Sequence, residues 1–155
     1  VLTYVGITCN SKLALSLAGG KEEGIISTQA TLDPSNTEDQ KDPAMQEFLT
    51  ESVKHGLTAD EAQLGVAALG WSFGAMTTEL LEKSPELTRE DVMKTAWSMD
   101  SDAVGLMLPN SGLVTDGGND PWLLESLRIV KRTCPSAKVS AMSHSLRMVC
   151  TSICR

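Results

Sequence analysis

Between residues 58 and 99 the chain spells two capped helices in succession, and the first of them is apolar on nearly every side. Thr58-Ala59-Asp60-Glu61 is a capping box: the threonine hydroxyl satisfies a backbone N–H of the first turn and the glutamate reaches back. Beyond it Leu64, Ala68, Trp71 and Ala75 line one stripe, and Val66, Leu69, Phe73, Met76 and Leu80 line another. A helix of that kind is expected to be buried, so the rest of the chain must cover it on several faces. Thr88-Arg89-Glu90-Asp91 caps a second helix carrying Val92, Ala96 and Met99 with Met93 and Trp97, and Pro85 breaks the connection. Residues 65–99 therefore predict a helical hairpin. Met76, Met93 and Met99 read as packing residues in it.

Strand signals flank this hairpin. Residues 1–5, Val-Leu-Thr-Tyr-Val, form an apolar run stopped by Gly6, which suits a strand buried on both faces of a parallel sheet. Residues 12–18, with Leu13, Leu15 and Leu17, predict a helix ending at Gly19-Gly20. Residues 24–28 predict a second strand, completing a βαβ-like unit. The polar stretch 32–41 contains Pro34 and reads as a surface loop. Asp42 then acts as N-cap, with Pro43 at the first helical position, for an amphipathic helix carrying Met45, Phe48, Leu49 and Val53 and closed by Gly56. Residues 104–108 are apolar and end in Pro109-Asn110-Ser111-Gly112. Residues 115–121 are dense in turn formers, and residues 123–131 predict a last strand.

Length and composition suit one ordinary globular domain: 155 residues, 41% hydrophobic and 21% charged. A net charge of −7 with dispersed basic residues argues against nucleic acid or an anionic membrane as partner. No run approaches a membrane span, and residues 1–5 lack the basic start and cleavage site of a signal peptide, so the chain is expected to begin inside a longer protein or after processing. Cys134, Cys150 and Cys154 fall in an acid-free tail after residue 132, with Cys9 far upstream. Their spacing matches no zinc site, so neither a metal nor a cofactor is expected.

Gly70-Trp71-Ser72-Phe73-Gly74 spells the nucleophile elbow of a serine hydrolase. That device needs a strand before the serine, and the alanine-rich segment before Ser72 reads as helix. There the hydroxyl would turn to its own backbone. A triad would draw its base from His144 and its acid from Asp100, Asp102, Asp116 or Asp120. The hydrolase stays as an alternative. The pairs Glu22-Glu23 and Glu90-Asp91 read as a solvated face and a helix first turn.

Leu87-Thr88-Arg89-Glu90-Asp91-Val92-Met93, preceded by Gly70-Trp71 and Glu79-Leu80-Leu81, resembles the type I periplasmic solute-binding proteins of ABC transporters, the branched-chain amino acid (Leu/Ile/Val-binding) group in particular. Residues 23–28, Asp42-Pro43-Ala44-Met45, Gly105-Leu106-Met107-Leu108-Pro109 and Asp120-Pro121-Trp122 follow in the same order. The likeness runs to about residue 131 and covers the second half of such a protein. It implies an α/β fold: a portion of two lobes with parallel sheets flanked by helices. Residues 1–31 would belong to the C-terminal lobe, 32–108 to the N-terminal lobe and 109–132 to the return crossover, with 133–155 an atypical tail.

The resemblance further implies transport and not catalysis: capture of a small polar ligand such as an amino acid, outside the cytoplasm or at the cell surface, for delivery to a membrane permease. A fragment of this kind would associate with the missing N-terminal half or with itself. Ligands of open α/β sheets sit beyond strand C-termini, and the loop Gly6-Ile7-Thr8-Cys9-Asn10 is so placed, although a bare βα turn is the plainer reading. Many members carry an acidic residue near Thr8, so the hydroxyl here weakens the case for an α-ammonium ligand. Val66 and Trp71 match positions near the cleft or its buried wall, and an apolar-face Trp is more often core. A ligand-sensing or interaction module on the same fold is the other alternative.

Overall fold

The computed structural model describes residues 2–7, 10, 17, 23–109, 111–124 and 126–132. Its elements run β1 (Ile26–Gln29), a 3-10 turn (Asp39–Lys41), α1 (Pro43–Lys54), α2 (Ala59–Ala62), α3 (Gly65–Lys83), α4 (Arg89–Ala96), β2 (Asp100–Ser101), β3 (Leu113–Val114) and β4 (Arg128–Lys131). The expected helix over residues 12–18 and the tail from residue 133 lie outside the described residues, Leu17 apart.

The helices begin where the sequence caps them. Asp42 accepts the Ala44 N–H, and Pro43 fills the position whose N–H has no helical partner. Gly56, at φ 104°, supplies the left-handed residue just past the end of α1. Thr58 and Glu61 form the full reciprocal capping box, and Thr88 accepts from Asp91 N–H at the start of α4. The helix that Thr58 starts nevertheless stops after one turn. Gln63 and Leu64 leave helical geometry, and α3 starts afresh at Gly65 with Leu64 as an N-cap that makes no side-chain hydrogen bond.

Among the described residues both sheets are two-stranded and antiparallel, β1 with β4 and β2 with β3. The fold is thus mixed α/β, and its small antiparallel ladders depart from the expected parallel sheets. A single parallel bridge joins Tyr4 to Ile26, held by Val5 N to Ile26 O and Ile26 N to Thr3 O, each 2.9 Å. Among the described residues 2–5, that bridge is all that forms of the buried strand expected over residues 1–5. Leu2 is 77% and Tyr4 63% exposed, because the described residues provide no second layer over them.

Two apolar clusters make the core. Leu32, Met45, Phe48, Ala68, Leu106 and Leu108 form one, with Trp71 packed edge-on against Phe48 (centroids 5.6 Å apart, planes at 66°). Met99, Met107 and Leu113 form the other, with Met76 and Leu80 against it. Full burial of a side chain such as Phe48 or Met45 contributes about 1.5–3 kcal/mol. Contrary to expectation, only Ala68 and Ser72 are fully buried among the described residues of α3, while Trp71, Met76 and Leu80 are half-buried against the two clusters. Val66 is 68% and Phe73 51% exposed, since the covering segments reach only part of the helix circumference.

The stretch 32–41 also differs from the solvated loop its composition suggests. Leu32, Pro34, Asn36 and Asp39 are all buried. Its polarity is consumed internally. Asp33 accepts from Ser35 N and Oγ, Asn36 Oδ1 accepts from Glu38 N, and Gln40 donates to Pro34 O.

Candidate ligand site at the crossover

Residues 30–32 and 106–108 run antiparallel beside each other. Leu32 N donates to Leu106 O at 2.7 Å, Leu108 N donates to Ala30 O at 3.2 Å, and Thr31 bridges Met107. This paired passage leads from the β1–β4 ladder into the helical body, and a buried polar network surrounds it.

At its centre Arg128 grips Asp39 with both terminal nitrogens, Nη1 to Oδ1 at 3.0 Å and Nη2 to Oδ2 at 2.5 Å. Asp39 is only 7% exposed, so its charge is tolerable only because the guanidinium and the Asp33 N–H, 2.8 Å away, answer it. Arg128 Nη2 also donates to Gln29 Oε1, its cross-strand neighbour in the ladder, and Gln29 donates to Asp33. Arg132, at the end of β4, approaches Asp33 at 3.9 Å and donates to Asn10 through Oδ1 and the backbone carbonyl.

Among the described residues, three buried side-chain polar atoms have no hydrogen-bond partner: Asn10 Nδ2, Ser111 Oγ and Arg128 Nε. Two of those residues, Ser111 and Arg128, line a cavity of about 290 Å³ together with Leu108, Pro109, Ser126 and Leu127. A second, apolar hollow of about 490 Å³ opens between α3, α4 and β3, lined by Phe73, Met76, Leu80, Trp97 and Leu123 among others. Its hydroxyls are already engaged: Thr115 Oγ1 donates to Ala96 O, and Thr77 Oγ1 to Phe73 O.

No known protein family, no curated protein and no solved structure matches this chain. Its chemistry has to be read from its own residues.

Of the loop expected to hold ligand, Gly6 and Ile7 are exposed, and the Gly6 carbonyl receives a long 3.4 Å contact from Ser27 Oγ. Thr8 and Cys9 lie outside the described residues. Asn10 is buried and tied into the network by Arg132. Val66 faces outward from α3, whereas Trp71 on the same helix is packed into the core. No hydrogen bond or ring contact among the described residues joins Asn10 to either of them. Among the described residues no three His, Cys, Asp or Glu side chains gather as a metal site would require, and no helix is long and apolar enough to cross a membrane.

Ser72 lies in the middle of α3 and is 1% exposed. Its hydroxyl donates to Ala68 O at 3.0 Å and accepts the Leu106 N–H at 3.2 Å, so it stands at a helix contact and not on a strand-to-helix turn. His144 is outside the described residues.

Sequence reasoning missed Arg128, Asp39, Arg132 and Ser111. Arg128 on one side of the short apolar pair Ile129-Val130 with Lys131-Arg132 on the other, and aspartates at both ends of a Pro-containing loop, were signals that could have raised the first three. Ser111 looked like any turn residue.

Proposed function

We propose that this chain is part of the solute-binding component of an ABC transporter, built on the two-lobed type I fold, which captures a small polar organic molecule such as an amino acid and presents it to a membrane permease. No bond is made or broken. What supports the reading best is the paired passage at 30–32 and 106–108. Under the resemblance the chain changes lobe at these two points, and adjacent antiparallel passages are what a hinge between lobes needs: two strands that bend together while the bodies on either side stay rigid.

One core cluster draws all its buried members from residues 32–108, and β1 and β4, from the segments assigned to the other lobe, pair with each other, which supports the division. The second cluster and the β2–β3 pair cross it, joining Met99 and Ser101 to Leu113. The parallel sheets of complete lobes belong to the proposal, as do an extracytoplasmic location and a cleft lined by the 6–10 loop and the start of α3. The bared apolar side of α3, with Val66, Leu69 and Phe73, suits association with a missing N-terminal half or with a second copy.

The test is the purified product of the full reading frame that carries this chain. Titration with amino acids and their amides is expected to give saturable binding, and small-angle scattering a more compact particle when bound. Failure of every such compound to bind, with no compaction, would overturn the reading.

A further inference from the structure

The apolar hollow between α3, the end of α4 and β3 is held open by the hydrogen bonds of its own walls. Thr115 Oγ1 donates to Ala96 O and accepts from Met99 N, each at 2.9 Å. Thr115 N donates to Met99 O at 2.9 Å and Gly117 N to Trp97 O at 2.6 Å, so the end of α4 is pinned to the turn after β3. The turn before residues 121–123 is fixed in the same way: Asp116 N donates to Asp120 O at 2.8 Å, and Trp122 N to Asp120 Oδ1 at 3.2 Å. On the opposite side Ser101 Oγ donates to Glu79 Oε1 at 2.6 Å and ties α3 to β2.

Apolar side chains gain by closing the space between them, but here their backbones are anchored apart. What remains is a cavity of about 490 Å³, within the range of about 300–1,000 Å³ usual for small-molecule pockets. A guest would therefore bury apolar surface without first paying to reorganise the walls.

The side chains that keep open surface in it set the class of guest. Phe73 on α3 and Trp97 at the end of α4 are 51% and 49% exposed, Pro121 is exposed, and Met76, Leu80 and Leu123 are half-buried. Met99 and Leu113 back the floor as members of the second core cluster. Leucine and proline accept any apolar group, whereas aromatic rings and a thioether discriminate. An aromatic guest can meet Phe73 or Trp97 offset or edge-on and take the Met76 sulfur at its ring edge, contacts that a saturated ring makes less well. Phe73 and Trp97 have these faces to offer, since the one ring pair among the described residues is Phe48 with Trp71.

We propose that this hollow binds a small aromatic molecule of the benzyl or indolyl class. Its ring lies against Met76 and Leu80 and touches Phe73 and Trp97, and any polar substituent faces the mouth. The proposal goes beyond the transport reading and does not depend on it, since it concerns a pocket within residues 73–123 alone.

The probe is benzyl alcohol, titrated into the product of the full reading frame and followed by the methyl shifts of Met76, Met99 and Leu80, with cyclohexylmethanol as the saturated counterpart. The saturated compound is the more hydrophobic, so burial alone would make it bind more tightly. Benzyl alcohol is instead expected to bind at least about threefold more tightly than it, with half-saturation at or below roughly 10 mM. Phe73→Leu is expected to weaken benzyl alcohol about threefold and to leave cyclohexylmethanol within about twofold. Ala96→Leu keeps a good helix former and fills the hollow from the α4 side, so it is expected to abolish the shifts with the unfolding midpoint unchanged or raised. The proposal is overturned by the absence of saturation up to roughly 50 mM, by cyclohexylmethanol binding as tightly as benzyl alcohol, or by an unaltered preference in Phe73→Leu. The same methyl shifts on raising protein concentration without ligand would also overturn it, and would give the hollow to a second copy.

Discussion

The backbone N–H of Leu106 donates to Ser72 Oγ at 3.2 Å, across 34 residues of sequence, while that hydroxyl donates to Ala68 O. The contact is possible because Gly105, at φ 59°, lets the chain approach α3: a Cβ there would lie 3.0 Å from Ser72 Cα and 3.1 Å from Ala75 Cβ. Ser72→Ala should strand the buried Leu106 N–H and cost roughly 1–3 kcal/mol. Gly105→Ala combines left-handed backbone with overpacking and should cost roughly 2–4 kcal/mol. Urea unfolding of the two single variants and the double variant checks both, and the neighbouring sites should be non-additive.

Breaking the Arg128–Asp39 pair should be among the most damaging single changes. Asp39→Asn leaves a largely buried guanidinium without its countercharge, and Arg128→Met leaves a buried carboxylate, each costing about 3–5 kcal/mol. The pairing of Asp39→Asn with Arg128→Met should recover part of that loss. Thermal unfolding of all three variants tests the coupling, and simple additivity would show that the two side chains act independently.

The capping box gives α2 an acid-sensitive start. Backbone and side-chain hydrogen bonds from Thr58 hold the Glu61 carboxyl below its ordinary value of 4.5. A pKa depressed on folding means that the contribution is present above the unfolded value and is lost as pH falls through the folded one. Carboxyl chemical shifts should therefore show Glu61 titrating below 4.5, and Thr58→Ala should return it towards the ordinary value. Glu51 should titrate low as well, chiefly through its hydrogen bond from Lys54. Lys54→Met should remove most of that shift.

The outward side of α3 should govern self-association more than stability. Val66→Lys should move the unfolding free energy by less than about 0.5 kcal/mol, and Phe73→Lys, two turns away and half-buried at the apolar hollow, should cost roughly 1 kcal/mol. If the bared face is an association surface, sedimentation velocity should show the double variant shifted towards monomer relative to the unaltered chain. An unchanged distribution would remove that role from the face.

Much of the local structure was written in adjacent residues. Asp42-Pro43, the Thr58 capping box, Thr88 and Gly56 fixed where helices begin and end, because capping is satisfied within a few residues of the backbone groups concerned. Ser72 was legible as a helical residue for the same reason. The one-turn length of α2 was not, since the alanine-rich pattern runs on through Gln63 and Leu64 without a breaker.

The candidate site was far less legible. Arg128 and Asp39 are 89 residues apart, and neither has a local reason to be buried. The polar stretch 32–41 looked like solvent-facing loop because composition reports how many polar groups are present and not who answers them. Only the folded chain turned Asp33 and Asp39 inward, against arginines from the other end of the described residues. Likewise an apolar pattern states which side chains would gain from burial, but burial needs a covering surface. Strands, sheet direction and the exposed face of α3 were decided by which distant segments arrived to pair and cover, whereas the helix caps at Asp42, Thr58 and Thr88 were determined by the sequence alone.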